Sequence, residues 1–287
     1  MRENPAGLKS PQIDESLVAA HPELAVLTLN LPMSDGEPME THRAWLQAHL
    51  ILATLHQHWR DREDWFAGAN LFLYYCVEQA QQIIAEEAEP TRPRRAFRGP
   101  DVFVVQNIDG RVPRDMWVVW NEGGRYPDVI FECLSPSTRL NDLTTKKELY
   151  ERVFRTPEYY VFDPYDPRIL LGWQLTTARG YQPVSPDDRG WLWSPTFELW
   201  LGRWEGIFER YPATWIRFFD QEGQLVLTID EAAERRMQAA EQHAQAAEQH
   251  AQVSARQAQA AEQRAAAAEA EAVRLRAELA RLRGETS

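Results

Sequence analysis

The spacing of apolar residues along this chain changes period several times, and the changes mark out its elements. Over residues 41–60, Trp45, Leu46, Leu50, Leu52 and Leu55 recur at roughly helical spacing and predict an amphipathic helix. The runs 70–77, 101–107, 129–134 and 159–163 are short, apolar and rich in β-branched and aromatic residues, and read as strands. A period of two across the third run sets Asp128, Ile130 and Glu132 on one face and Val129, Phe131 and Cys133 on the other. Between the third and fourth runs, residues 142–154 carry a helical pattern, with Asp142 in a capping position and Lys146 and Tyr150 one turn apart. From 169 to 227, short apolar runs broken by ARG, DDRG and QEG predict β-hairpins. Trp173, Trp191, Trp193, Trp200, Trp204 and Trp215 fall in this part and are expected to pack the sheets.

The two ends follow other patterns. Residues 1–38 are irregular and proline-rich, ending in the turn PMSDGE. Residues 239–245 and 246–252 are both AAEQHAQ, a seven-residue repeat. Followed onward, it gives a seam of Ala240, Ala244, Ala247 and Ala251 that ends in Leu275, Leu279 and Leu282, a coiled-coil pattern. Small seam residues bury little area, so pairing would rest mainly on the terminal leucines. The expected organisation is an irregular segment 1–38, an α+β domain 39–230 with a β-rich extension 165–230, and a helix 231–284 that self-associates through residues 239–282. The pattern selects neither strand direction nor oligomer size.

Charge and cysteine usage narrow the function. A net charge of -12 argues against broad coating of DNA but leaves room for a local site. Arg92, Arg94, Arg95 and Arg98 stand just before Asp101 and form a candidate phosphate-binding patch. Cys76 and Cys133 sit in apolar runs, as reduced core thiols of a cytoplasmic protein would, and no apolar run reaches membrane-spanning length. His42, His49 and His56 are spaced by seven, with His58 close by; zinc ligands need tighter spacing, so packing is the expected role.

The chemistry concentrates around Glu132. An acid inside an apolar strand is costly unless it is paired or metal-bound. Asp101 follows Pro100 at the start of another predicted strand, a position that also suits an ordinary turn. Lys146 and Lys147, beside Glu148 and Glu151, suit a solvated helix face as well as catalysis.

Five strings carry a family resemblance: NLFLYY at 70–75, GPDVFVV at 99–105, PDVIFECLSPSTR at 127–139, the spacing of Asp142, Lys146 and Tyr150, and EYYVFDP at 158–164. From about residue 32 to about residue 230 the chain resembles the Uma-two family, a branch of the PD-(D/E)XK nuclease superfamily. The resemblance implies a restriction-endonuclease-like α+β fold, a mixed sheet core with flanking helices. It also implies a metal-dependent endonuclease that hydrolyses phosphodiester bonds of duplex or branched DNA with Mg²⁺ or Mn²⁺. Placed on this chain, Pro100 and Asp101 match the first motif element and Glu132 the acid of the second. Leu134 stands where the in-strand lysine would be, and Lys146 on the following helix matches its displaced position. Asp101 and Glu132 are then the implied metal ligands, Asp128 an additional acid, Lys146 the electrostatic catalyst, and Glu40 the nearest candidate for a first-helix acid. The missing in-strand lysine keeps an alternative in play: a catalytically inactive nuclease-fold adaptor acting through its coiled coil.

Overall fold

The computed structural model describes residues 29–33, 41–89 and 95–284. Most of the expected irregular segment 1–38, together with Glu40, Arg92 and Arg94, lies outside the described residues. The chain divides into two compact units, residues 1–228 and 229–287.

Unit one is mixed α+β. Helix α1 (His42–His58) opens at Thr41, whose side chain accepts a hydrogen bond from the Ala44 backbone N–H at 3.2 Å. Strands β1 (Trp65–Ala69) and β2 (Leu73–Tyr74) follow, and then helix α2 (Val77–Ala88). The predicted strand 70–77 is therefore only two residues long. Asn70 turns the chain at a φ of 52°, and the helix-forming run from Val77 buries Ala80 and Ile83. Strands β3 (Val102–Gln106), β4 (Trp117–Val118) and β5 (Val129–Cys133) lead to helix α3, residues 139–154, and then to β6 (Glu158–Phe162). The remaining strands are β7 (Leu170–Thr176), β8 (Gly180–Pro183), β9 (Leu192–Ser194), β10 (Leu199–Phe208) and β11 (Tyr211–Phe219).

The central sheet has the order β1-β3-β5-β6-β7-β8. Its neighbours pair antiparallel except β5 and β6, which run parallel because α3 carries the chain across between them. Strands β7 and β8 thus continue the main sheet, while β11-β10-β9 form a second, antiparallel sheet and β2-β4 a short parallel pair. The hairpin between β10 and β11 turns on Glu209 and Arg210, with φ of 48° and 69°. A two-residue turn with both φ positive matches strand twist, but it usually draws Asn and Gly, so these residues gave no turn signal.

The period-two pattern of β5 divides two cores. Val129, Phe131 and Cys133 pack with Ala48, Ile51 and Leu55 of α1 and with Leu201 and Phe218 of the second sheet. Ile130 packs on the opposite face with Phe103, Tyr159, and Tyr150 and Phe154 of α3. Glu132 shares the face of Ile130. Helix α3 is not purely α-helical: Asp142–Lys146 and Tyr150–Phe154 are π-turns, and Arg155 closes it in the left-handed region at φ 54°. Asp142 lies inside this helix rather than capping it, since the helical run begins at Arg139. In the turn that leads into the helix, Ser135 Oγ accepts the Thr138 N–H at 3.1 Å.

Unit two is helix α4 (Ile229–Gly284), 56 residues long. Its apolar positions are uncovered, with Leu275 52% and Leu279 56% exposed. Among the described residues no helix is long and apolar enough to cross a membrane.

Candidate active site

Antiparallel pairing of β3 with β5 matches Val102 to Phe131 and Phe103 to Ile130, so one further step of the register sets Asp101 opposite Glu132. The side chains confirm the step. Asp101 Oδ2 accepts the Cys133 N–H at 2.6 Å, and the Asp101 N–H points at Glu132 Oε2 at 3.4 Å. Helix α3 closes over this pair. Lys146 Nζ stands 3.1 Å from Glu132 Oε1 and 2.9 Å from Asp142 Oδ1, and the Tyr150 hydroxyl donates to Glu132 Oε1 at 2.6 Å. Asp142, Lys146 and Tyr150 are four residues apart, which overshoots a 3.6-residue turn by about 40° per step. The wider π-turns offset that drift and keep the three side chains over one strand position.

Asp101, Glu132 and Lys146 line a cavity of about 60 Å³ together with Thr41 and Ala44 of α1, Ser135, Thr138, Pro164 and Tyr165. That volume holds a handful of waters, not a nucleotide. Burial dominates the electrostatics. It pushes the Glu132 carboxyl up to about 8, a rise that Lys146 opposes and Asp101 and Asp142 reinforce. Asp101 is also raised by burial, against the pull of Lys146 and the Cys133 N–H. Burial works against the Lys146 ammonium, but Glu132, Asp142 and Asp101 outweigh it and hold the lysine above its ordinary range. The arrangement is two carboxyls whose proton affinity burial raises, facing an ammonium that its acidic neighbours keep charged.

The other candidates lie elsewhere. Asp128 shares a strand face with Glu132 but sits at the opposite end of β5, accepting the Gln106 N–H at 2.6 Å with Arg125 at 3.6 Å. It does not line the cavity. Arg98 is engaged by Glu86 at 3.1 Å and Glu87 at 2.9 Å, and Arg95 is exposed, its N–H donating to Glu86. Neither lines the cavity. The α1 histidines pack against aromatic rings: His42 and His49 flank Trp45, and His56 meets Trp65. Asp142, expected as a cap, and Tyr150, whose ring is buried in the core, both belong to the charged network; their shared spacing with Lys146 was the available signal.

The sequence pattern that defines the Uma2 family, described as "Putative restriction endonuclease", matches residues 34–203. This span is more than half of the chain. The protein belongs to the Uma2 family. Among solved structures, one similar chain is described as a putative nuclease belonging to DUF820 from Anabaena variabilis ATCC 29413. The two share 15% identity, the match covers 59% of this chain and 88% of that one, and the TM-score is 0.38. No curated protein matches. Within the Uma2 span lie every cavity-lining residue and every strand of the central sheet.

Such a family implies a divalent cation. Among the described residues no three His, Cys, Asp or Glu side chains are arranged to hold a metal ion. Two carboxyls, Asp101 and Glu132, face the cavity. Mg²⁺ is commonly held by one or two carboxylates, with waters and substrate phosphate oxygens completing its shell. Hard oxygen donors with raised proton affinity fit such an ion, because a bound cation stabilises the ionised forms that burial disfavours.

Proposed function

We propose that this Uma2 protein is a metal-dependent endonuclease that hydrolyses phosphodiester bonds in DNA. One observation carries the proposal: the β3–β5 register and α3 converge Asp101, Glu132 and Lys146 on a single small cavity. Asp101 and Glu132 would hold Mg²⁺ or Mn²⁺. When bound, such an ion lowers the pKa of a coordinated water and polarises a phosphoryl oxygen.

The protein's own groups supply the rest. The Lys146 ammonium, only 17% exposed, offers a fixed positive charge where negative charge builds on the phosphate oxygens. Asp142 anchors that ammonium from the far side at 2.9 Å, so the lysine is positioned without depending on substrate. Tyr150 fixes one oxygen of Glu132, which leaves Oε2 directed toward Asp101. Thr41, Ser135 and Thr138 give the cavity wall hydroxyls that can orient water. Asp128 is assigned to holding the β3 end, not to chemistry.

The test is cleavage of duplex and branched DNA with Mg²⁺ or Mn²⁺. Glu132→Gln and Lys146→Ala should each lower the rate by about 100-fold or more with the circular dichroism spectrum retained. Undiminished cleavage by either variant removes that residue from the mechanism. A competing reading, a silent nuclease fold acting through α4, is favoured by the closed pairing of Lys146 with both Glu132 and Asp142. Folded, metal-supplemented protein that cuts no DNA would select it. Self-association through residues 239–282 belongs to either reading, because Leu275 and Leu279 stand exposed on α4. Cys76 and Cys133 are free thiols, which suits the reducing cytoplasm.

A further inference from the structure

Helix α4 is unbroken from Ile229 to Gly284, a rod about 84 Å long at 1.5 Å per residue. Its seam holds large apolar side chains near both ends, with Met237 73% exposed, Leu275 52% and Leu279 56%. In heptad letters a to g, Ala240 and Ala247 are d positions and Ala244 and Ala251 are a positions. The seam alone is silent on direction. The e and g positions that flank it are not, because they face a covering helix differently in its two directions. In a parallel pair each g residue faces the e residue five places further along the other helix. In an antiparallel pair g faces g and e faces e.

A parallel, in-register pair of α4 helices sets Arg236 against Glu241, Arg264 against Glu269 and Glu271 against Arg276. The g positions between them, His243, His250 and Gln257, meet Glu248, Ala255 and Glu262, so no like charges oppose. The same pairing lays Leu275 on Leu275 and Leu279 on Leu279. Antiparallel pairing loses one benefit or the other. Layering Leu275 on Leu279 tip to tip brings Arg276 against its own copy and Glu278 against its own copy, while overlapping the whole rods sets the leucines against the alanine end.

The flanking charges are not spent within the helix. Arg264 stands between Ala260 and Ala268, Glu269 between Ala265 and Val273, and Arg276 between Ala272 and Ala280, so none has an opposite charge one turn away. All three are exposed. Alanine also bears on the number of strands. Its side chain is too small to fill the centre of three helices at protein packing density, so the seam suits two helices drawn close together.

We propose that α4 binds α4 of a second copy of this chain as a parallel, in-register, two-stranded coiled coil, with direction and register chosen by the e and g charges. The proposal rests on the self-association reading of α4 and is independent of the cavity chemistry. Parallel pairing brings the two Ile229 ends together, so both copies of unit one are tethered to the same end of the rod. An antiparallel pair would tether them at opposite ends.

The experiment is cysteine cross-linking of the full chain in a glutathione redox buffer, with sedimentation equilibrium alongside. Ala240→Cys and Ala268→Cys, both d positions, are made separately on a Cys76→Ser background, since Cys76 is partly exposed and Cys133 is buried. Each should link to its own copy, because facing d positions lie within disulfide reach. The two sites are about 42 Å apart along the helix, so an antiparallel pair centred on either one holds the copies of the other about 84 Å apart. Arg264→Glu and Glu269→Arg should each weaken the dimer about tenfold, and the two together should restore it, because the pair is remade with its charges exchanged. A dimer in which only one cysteine variant links, or neither, or in which the double exchange restores nothing, overturns the parallel register and keeps self-association. A monomer at every loading concentration overturns both, and a trimer overturns the two-stranded assignment.

Discussion

The Tyr150 hydroxyl reaches from the second π-turn of α3 to Glu132 Oε1, 2.6 Å away, and both groups are withdrawn from solvent. A donor aimed at a carboxyl favours its ionised form, so Tyr150 partly counters the burial that raises Glu132. Tyr150→Phe should therefore move the Glu132 titration to higher pH. It should weaken Mg²⁺ or Mn²⁺ binding at pH 7 more than at pH 9 and cost about 1 kcal/mol of stability. Metal titration by calorimetry at the two pH values, with denaturant unfolding alongside, checks all three.

On the proposed reading, metal and proton compete for Glu132. Its folded pKa, about 8, lies above the ordinary 4.5, so the folded protein holds a proton that the unfolded chain releases. The stability from that proton is fully present below about pH 4.5 and is lost as pH rises to about 8. Without metal the Tm should fall across this window, and Glu132→Gln should flatten the fall. Added Mg²⁺ or Mn²⁺ should raise Tm more at pH 8.5 than at pH 6, by the linkage of binding to folding. Thermal scans at several pH values, with and without metal, give the answer; a metal effect independent of pH would detach Glu132 from the ion.

Lys146 neutralises two buried acids at once. Lys146→Met leaves Glu132 and Asp142 without their shared cation, which should cost about 3–5 kcal/mol at pH 8 and less at pH 5, where Glu132 holds a proton. Urea unfolding at the two pH values measures the difference.

Glu158 supplies a control away from the cavity. Its carboxylate accepts from Tyr160 Oη at 2.7 Å, Ser194 Oγ at 2.5 Å, and the Thr196 N–H and Oγ1 at 2.7 and 2.5 Å, joining β6 to the second sheet. Glu158→Ala strands these donors and should lower stability by about 3–5 kcal/mol. Metal affinity of the variant that remains folded should match the parent.

Helix α4 is tested by hydrodynamics. Leu275→Ser with Leu279→Ser should shift a self-associated protein toward monomer in sedimentation equilibrium, without change in the Tm of unit one. An unchanged mass would place any self-association elsewhere.

Patterns of two and of 3.6 made much of the fold legible. They marked α1, β3, β5, β6 and the heptad helix within a residue or two, and they put Glu132 on the face that α3 covers. They failed where local chemistry was ambiguous. Helix α2 was hidden because its apolar start runs on from LFLYY, so one continuous run concealed a strand and a helix. The β10–β11 turn was hidden because Glu209 and Arg210 take a conformation usually left to Asn and Gly. Within the site, face alone could not separate Asp128 from Glu132. The separation is along the strand, and it needed the partner strand to show which end meets Asp101.

Asp101 and Asp128 turn out to be counterparts. Each immediately precedes its strand, and each accepts the N–H of the last residue of the other: Asp101 from Cys133, Asp128 from Gln106. Strands β3 and β5 are thus fastened as a clasp with approximate two-fold symmetry, a fastener at either end. A slip of one residue would undo both fasteners together and turn Glu132 to the other face. The charged network is built on one end only, where Glu132 and Lys146 meet. The side chains at 132 and 146 take no part in the clasp, so the register of β3 on β5 does not depend on them.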